Sequence, residues 1–188
     1  MALLNIMNEI SVEIDNRKYS IGIFLDVSKA FDTIDHNIVL KKLEIYNIRG
    51  TALKWFSSYL SCRTQFVSIG DGFLNPSHIK CSVRQGAVLG PLLFIIYIND
   101  INKSSNLLKF ILYADDTNLF AVHENHEILI NQINCELIKV SEWLTNNKLS
   151  LNVKKTHFII FHNRQKKIVR KLNIDKTQID QVRSTKFL

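Results

Sequence analysis

Cysteine is scarce in this chain. Its 188 residues include three cysteines: Cys62, Cys81 and Cys135. They are odd in number, far apart and in no CxxC pattern. This argues against a disulfide-stapled or zinc-ribbon domain and leads us to expect reduced thiols in an intracellular protein. His123 and His126 form an HxxH pair, but no cysteine or nearby acid completes a zinc set around them. No basic, apolar leader is present at the start, Met1-Ala2-Leu3-Leu4-Asn5. The longest apolar run, Leu92 to Ile98, falls far short of the ~18 residues a membrane span needs, so no membrane partner is expected. Internal repeats and low-complexity tracts are missing too.

What is present suits one globular domain with a real core, since 46% of the residues are hydrophobic. Lys and Arg total 24 against 17 for Asp and Glu, a net charge of +7, and the isoelectric point is near 9.3. A basic surface fits an anionic partner such as nucleic acid, or simply a soluble basic protein.

Leu3, Ile6, Met7, Ile10 and Ile14 recur at helical spacing and predict a helix from about Ala2 to Asn16. Tyr19 to Leu25 is β-prone and runs straight into Asp26. Asp35 has the position of an N-cap for a helix carrying Ile38, Leu40, Leu43 and Tyr46. Gly50 separates that helix from a second, Thr51 to Leu60, with Leu53, Trp55, Phe56, Tyr59 and Leu60 as expected core. Arg63 to Ile69 and Ile79 to Val83 read as two strands around a Gly70-Asp71-Gly72 turn. Arg63 and Lys80 there are either phosphate contacts or solvated strand charges. The Gly-bearing loop Gln85 to Gly90 leads to Pro91, suited to the first turn of a helix from Leu92 to Ile101 that is apolar nearly all round. A long amphipathic helix is expected from Asn125 to Asn146, a strand from Phe158 to Phe161, and two short strands in the tail after Arg164. Helices mixed with an antiparallel hairpin give an α+β class, a sheet with helices packed on one face.

Two acidic clusters stand out. Phe110 to Leu112 and Leu119 to Val122 read as paired strands, with Ala114, Asp115 and Asp116 at or near their turn. Asp residues favour turns, so a plain polar turn is one reading. Carboxylates crowded at an apolar edge repel each other, and a divalent cation that removes the repulsion is the other. Asp26 ends its own strand, where it is either a cap for the next segment or a third carboxylate. If that strand lies beside the hairpin, all three converge. Hard oxygen ligands of this kind choose Mg²⁺ or Mn²⁺, and a pair of such ions supports in-line phosphoryl transfer.

The motifs settle which family the chain resembles. Phe24-Leu25-Asp26-Val27-Ser28-Lys29-Ala30-Phe31-Asp32-Thr33-Ile34-Asp35-His36 looks like motif A of the reverse transcriptases of non-LTR, LINE-like retrotransposons of the jockey type. Gln85-Gly86-Ala87-Val88-Leu89-Gly90-Pro91-Leu92-Leu93-Phe94, followed by Tyr97-Ile98-Asn99-Asp100, is similar to motif B. Tyr113-Ala114-Asp115-Asp116 matches the YxDD box of motif C. Asn147 to Asn152 with Lys155-Thr156 resembles motif D, and Lys186-Phe187-Leu188 the opening of motif E. The resemblance runs through nearly the whole chain, residues 1–188, and implies a right-hand polymerase palm with fingers and thumb largely missing.

By that resemblance the chain would extend a DNA primer 3′-OH on an RNA template with deoxynucleoside triphosphates and two Mg²⁺ ions, Mn²⁺ being a possible substitute. Asp26 and Asp115 would ligate the metals, with the Val27 carbonyl assisting and Asp116 completing the cluster. Phe31 matches the steric gate against a ribose 2′-OH, a role compatible with a core aromatic. Gln85 and Gly86 would line the nucleotide pocket, and Lys155 would protonate or neutralise the leaving pyrophosphate, or stay a solvated lysine. The family acts at nuclear DNA. The chain departs from the family's usual Gly-Val-Pro-Gln-Gly at Ser82-Val83-Arg84-Gln85-Gly86, where Ser82 and Arg84 replace the glycine and the proline. The competing expectation is a catalytically inactive retrotransposon remnant that at most binds nucleic acid.

Overall fold

The computed structural model describes residues 2–61, 64–65, 68–69, 72–73, 75, 77–78, 81–83, 88–113, 116–163, 171–175 and 177–185. Its elements begin with α1 (Ala2–Asp15), β1 (Tyr19–Asp26), α2 (His36–Ile45) and α3 (Gly50–Leu60). Four two-residue strands follow: β2 (Thr64–Gln65), β3 (Ser68–Ile69), β4 (Gly72–Phe73) and β5 (Ser77–His78). Next come α4 (Leu89–Ile98), a 3₁₀ turn (Asn99–Ser104), β6 (Lys109–Tyr113), β7 (Asp116–His123) and α5 (His126–Asn146). The last are β8 (His157–Phe161), β9 (Leu172–Ile174) and β10 (Thr177–Gln181). They form two compact units: Met1–Ser28 with Asp100–Asn146 and Ser150–Leu188, and Lys29–Asn99 with Asn147–Leu149.

The first unit is built on a six-stranded sheet in the order β6-β7-β1-β8-β10-β9. Neighbours are antiparallel except β8 and β10. Strand β1 reads Tyr-Ser-Ile-Gly-Ile-Phe-Leu-Asp, and its period of two sorts it into two faces. Ile21 and Ile23 pair with Ala121 and Leu119 on one side and with Ile160 and Phe158 on the other. Ile21, Ile23, Leu119 and Phe158 are wholly buried. Helix α5 packs against β7 and β9, and its Leu129, Ile133, Leu137, Val140 and Leu144 are buried at helical spacing. Asn125 starts that helix by accepting the Glu127 and Ile128 amides on its side-chain oxygen.

The other face of β1 carries Ser20, Gly22, Phe24 and Asp26. Here α1 packs Ile6 and Ile10 with Phe24, Phe120 and Ile159, and Glu9 pairs with Lys109 of the edge strand at 2.5 Å. The expected α+β sheet is found. Its helix-covered face belongs to α5, and α1 adds a partial layer on the opposite side. Gly22 allows the close approach on that side, because a Cβ there would stand 2.9 Å from Phe120 Cε1 and 3.2 Å from Phe161 Cε2.

In the second unit α2 packs against both α3 and α4. Asp35 is the N-cap expected for α2, accepting from the Asn37 and Ile38 amides. Other expectations are corrected. Gly50 is the first residue of α3 rather than a spacer before it, and takes φ +61°. Of the five α3 residues read as core only Leu60 is buried. Trp55 instead stacks on Tyr59 and meets Phe56 edge-on, so the aromatic surface is spent within the helix. Helix α4 starts at Leu89, three residues early, and is not buried all round: Leu93, Phe94, Tyr97 and Ile98 face inward, while Val88, Leu92 and Ile95 are exposed.

The small hairpin pairs β3 with β4 and β2 with β5. Ile69 pairs with Gly72, so the return strand begins there; of the strand expected from Ile79 to Val83, Ser82 and Val83 lie in no strand, and Ile79 and Lys80 fall outside the described residues. Cys81 forms a single bridge to Asp35. Arg63 and Lys80 lie outside the described residues, as does Cys62; Cys81 and Cys135 are free thiols. Among the described residues no helix is long and apolar enough to cross a membrane.

Candidate active site

The site grows from the end of β1. Asp26 is the last residue of the strand and pairs with Asp116, the first residue of β7, which in turn pairs with Tyr113, the last of β6. Cross-strand partners share a face, so Tyr113, Asp116 and Asp26 form a row across three strands. The expected meeting of the first strand with the hairpin is thus found for Asp26 and Asp116. Asp115 and Ala114 fall outside the described residues, as do Gln85 and Gly86.

The main chain fixes how close the two carboxylates come. The Asp26 N–H donates to Thr156 Oγ1 at 3.3 Å, and its carbonyl accepts the Asn152 N–H at 2.8 Å. Both polar groups of Asp26 therefore point away from β7. Its pairing with Asp116 is of the narrow kind, with Cα atoms ~4.5 Å apart in such pairs. Like charges directly opposite one another destabilise a sheet. Among the described residues the Asp26 carboxylate has neither a hydrogen-bond nor an ion-pair partner, so nothing inside the described protein neutralises it. Both aspartates are partly exposed. They offer hard oxygen donors, open to solvent and facing each other, the donor chemistry that Mg²⁺ and Mn²⁺ prefer.

Val27 is buried and forms an antiparallel bridge with Leu151. The flanking bonds run from Ser28 N–H to the Ser150 carbonyl and from Asn152 N–H to the Asp26 carbonyl. In that pattern the polar groups of Val27 itself point to the β7 side. Lys155 is exposed on the turn after Asn152, whose carbonyl accepts both the Lys155 and Thr156 amides at 3.0 Å.

In the second unit Phe31 is half-buried and packs on Phe94, ring centroids 5.2 Å apart. Its carbonyl accepts the Val83 N–H. Ser82 adopts φ +86°, the left-handed region that glycine tolerates. This chain holds serine in that conformation, at the position where it departs from the family's usual glycine. Its amide bonds to the Ile34 carbonyl.

Asp35 has ample partners. One oxygen caps α2 and the other pairs with Lys148 at 2.5 Å. The Tyr97 hydroxyl accepts the Asp35 N–H and donates to the Asn147 carbonyl at 2.6 Å. Burial pushes that hydroxyl up to about 12. The buried Lys42 donates to the Tyr97 carbonyl and lies over the Tyr97 ring, 5.0 Å from its centroid. Sequence reasoning singled out Asp26, Asp116, Asp35 and Lys155, and missed the hydrogen bonds made by Thr156, Asn152, Tyr97 and Lys42. Thr156 and Tyr97 stood inside recognised motifs, yet nothing in their spacing reveals partners so distant in sequence.

The fold is that of a right-hand polymerase palm. Telomerase from Candida albicans, solved with a fragment of telomeric RNA, superposes with a TM-score of 0.59 at 15% identity, over 93% of this chain and 32% of that one. Apo telomerase from Candida tropicalis gives 0.62 at 13% identity, over 93% and 37%. A family model described as reverse transcriptase (RNA-dependent DNA polymerase) matches residues 3–188, and the chain belongs to that family. The RNA-directed DNA polymerase from the mobile element jockey of Drosophila melanogaster is 27% identical over 80% of this chain and 17% of its own length. The probable polymerase from transposon X-element of the same organism is 24% identical over 99% and 21%. The likeness to non-LTR elements of the jockey type stands. The chain spans about a fifth of the length of these relatives.

Proposed function

We propose that this chain is the catalytic palm of an RNA-directed DNA polymerase that extends a DNA primer on an RNA template. The observation that carries the reading is the narrow pairing of Asp26 with Asp116, with no partner for the Asp26 carboxylate among the described residues and with Asp115 next to Asp116 in sequence. Asp26, Asp115 and Asp116, with the Val27 carbonyl, would hold two Mg²⁺ or Mn²⁺ ions. Such ions, when bound, lower the pKa of an attacking hydroxyl and stabilise charge at phosphorus.

The chain's own residues do the rest. By holding those ions the carboxylates would fix where the primer 3′-OH and the triphosphate meet for in-line attack. Phe31, backed by Phe94, presents an aromatic wall that a ribose 2′-OH would strike, selecting deoxynucleotides. By their match to motif B, Gln85 and Gly86 would line the nucleotide pocket. Lys155, exposed on its turn, gives a proton to the departing pyrophosphate. The net charge of +7 favours a polyanionic template and primer. The place of action would be the nucleus.

Primer extension tests this with a polypeptide of the relatives' length. Deoxynucleotide addition should require Mg²⁺ or Mn²⁺ and should be abolished by Asp115→Asn. Extension by Asp115→Asn at the parent rate would sink the assignment of that carboxylate. RNA binding indifferent to Mg²⁺ and to Asp26→Asn, without any extension, would leave a remnant that only binds nucleic acid.

A further inference from the structure

Asp26 sits where a strand ordinarily frays. The ladder between β1 and β8 ends at Phe24 and His157, two residues short of it. A terminal main chain with no partner swings its side chain by more than a metal site tolerates, which is about 0.5 Å. The structure closes this gap with a turn instead of a strand. The Asp26 N–H reaches Thr156 Oγ1 and its carbonyl takes the Asn152 N–H, so both polar groups are held by the two ends of one five-residue turn.

Thr156 also holds that turn together. Its hydroxyl donates to the Asn152 carbonyl at 3.1 Å while accepting from Asp26. The residue is 1% exposed, and a β-branched side chain has few rotamers to stray into. Lys155 is the preceding residue, and its amide is tied to the same Asn152 carbonyl. One hydroxyl therefore links the main chain of Asp26 to the turn that presents Lys155.

We infer that Thr156 is a positioning residue: through the Asp26 main chain it sets the Asp26 carboxylate opposite Asp116 and in fixed relation to Lys155. The inference rests on the reading of Asp26 as a metal ligand. A threonine that merely satisfied a buried amide would affect stability alone; one that positions the carboxylate also affects cation affinity.

The test uses the chain as it stands, without nucleic acid. Mn²⁺ binding is followed by water-proton relaxation, and hydrogen exchange of the Asp26 amide is followed alongside. The parent should bind Mn²⁺ and Asp26→Asn should not. Thr156→Val keeps the shape and removes both hydrogen bonds. It should weaken Mn²⁺ binding by roughly 10- to 100-fold, the usual effect of losing a group that orients a ligand, and speed Asp26 exchange at least about tenfold. Thr156→Ser restores the hydroxyl and should stay within about threefold of the parent in both. Parent-like Mn²⁺ affinity in Thr156→Val overturns the inference, as does a Thr156→Ser variant as weak as Thr156→Val. If Thr156→Val does not fold, the parent decides: an Asp26 amide exchanging faster than that of Phe24 shows no clamp and overturns it. Mn²⁺ binding indifferent to Asp26→Asn overturns the metal-ligand reading and this inference with it, and the amide data then show whether the clamp itself also fails.

Discussion

Asp26 and Asp35 lie in one short stretch, Asp26 at the end of β1 and Asp35 at the start of α2. Asp35 has partners on every side: two amides at the start of α2 and the ammonium of Lys148 on its carboxylate, and the Tyr97 hydroxyl on its own N–H. Asp26 has both polar groups of its main chain held, and its partly exposed carboxylate has no hydrogen-bond or ion-pair partner among the described residues and lies opposite another acid. The difference separates two uses of one side chain. A carboxylate surrounded by donors stabilises the fold. A carboxylate whose main chain is fixed while its oxygens lack protein partners costs the fold something, and that cost makes sense where a cation completes the site.

The sharpest way to break the contrast is to neutralise Asp26. In the longer polymerase Asp26→Asn should lower primer extension at least about a thousandfold, which is ~4 kcal/mol at ~1.36 kcal/mol per decade. In the isolated chain without divalent cations the same change should leave thermal stability unchanged or raise it by up to ~1 kcal/mol, since it removes like-charge repulsion across the pair. A variant that melts lower yet extends normally would make Asp26 a structural residue like Asp35.

Much of this contrast was legible beforehand. The β-prone and apolar residues of Tyr19 to Leu25 gave the strand, Asp35 announced itself as a cap, and the amphipathic helices followed from periodicity. The meeting of Asp26 with Asp116 depended on β1 lying beside the hairpin, which local patterns state only as a condition. Contacts made across long separations stayed hidden: the Thr156 hydroxyl reaches a residue 130 positions away, and Tyr97 reaches Asn147. Trp55 and Tyr59 read as core because hydrophobicity does not reveal whether an aromatic packs inward or on its own helix. Ser82 gave no hint of its left-handed backbone, which serine does not advertise.

On the Asp35 side the expected effects are smaller and concern stability. Asp35→Ala removes the cap of α2 and should cost about 1–2 kcal/mol, read as a lower urea midpoint. Asp35→Asn keeps a capping oxygen and should lose less than half of that, so the pair separates cap from charge. Ser82→Gly should move the other way. Glycine removes the strain of φ +86° but adds freedom to the unfolded chain, leaving a net gain of about 0.5–1 kcal/mol. A loss on Ser82→Gly would mean that the serine side chain supplies more than the backbone strain takes away.

The finest test is the acid limb of stability. Burial pushes the Asp35 carboxyl up. Against it the hydrogen bond from Lys148, the Ile38 and Asn37 amides and the Lys148 charge together hold it below the ordinary carboxylate range. A carboxyl whose folded pKa lies under its unfolded value, near 4, contributes stability above that value and loses it as pH falls through the folded pKa. The Asp35 contribution should therefore be intact at pH 6, decline below about pH 4 and disappear as pH falls through the folded pKa. Solvent screening keeps it under about 1 kcal/mol, because the Lys148 side chain is mostly exposed. Lys148→Ala should lower stability at pH 6 by part of that amount and by less at pH 3, where the contribution of the ion pair is already declining. Salt should erase the difference at pH 6. Equal losses at both pH values would show that Lys148 acts through packing, and the contrast between the two aspartates would then rest on the cap alone.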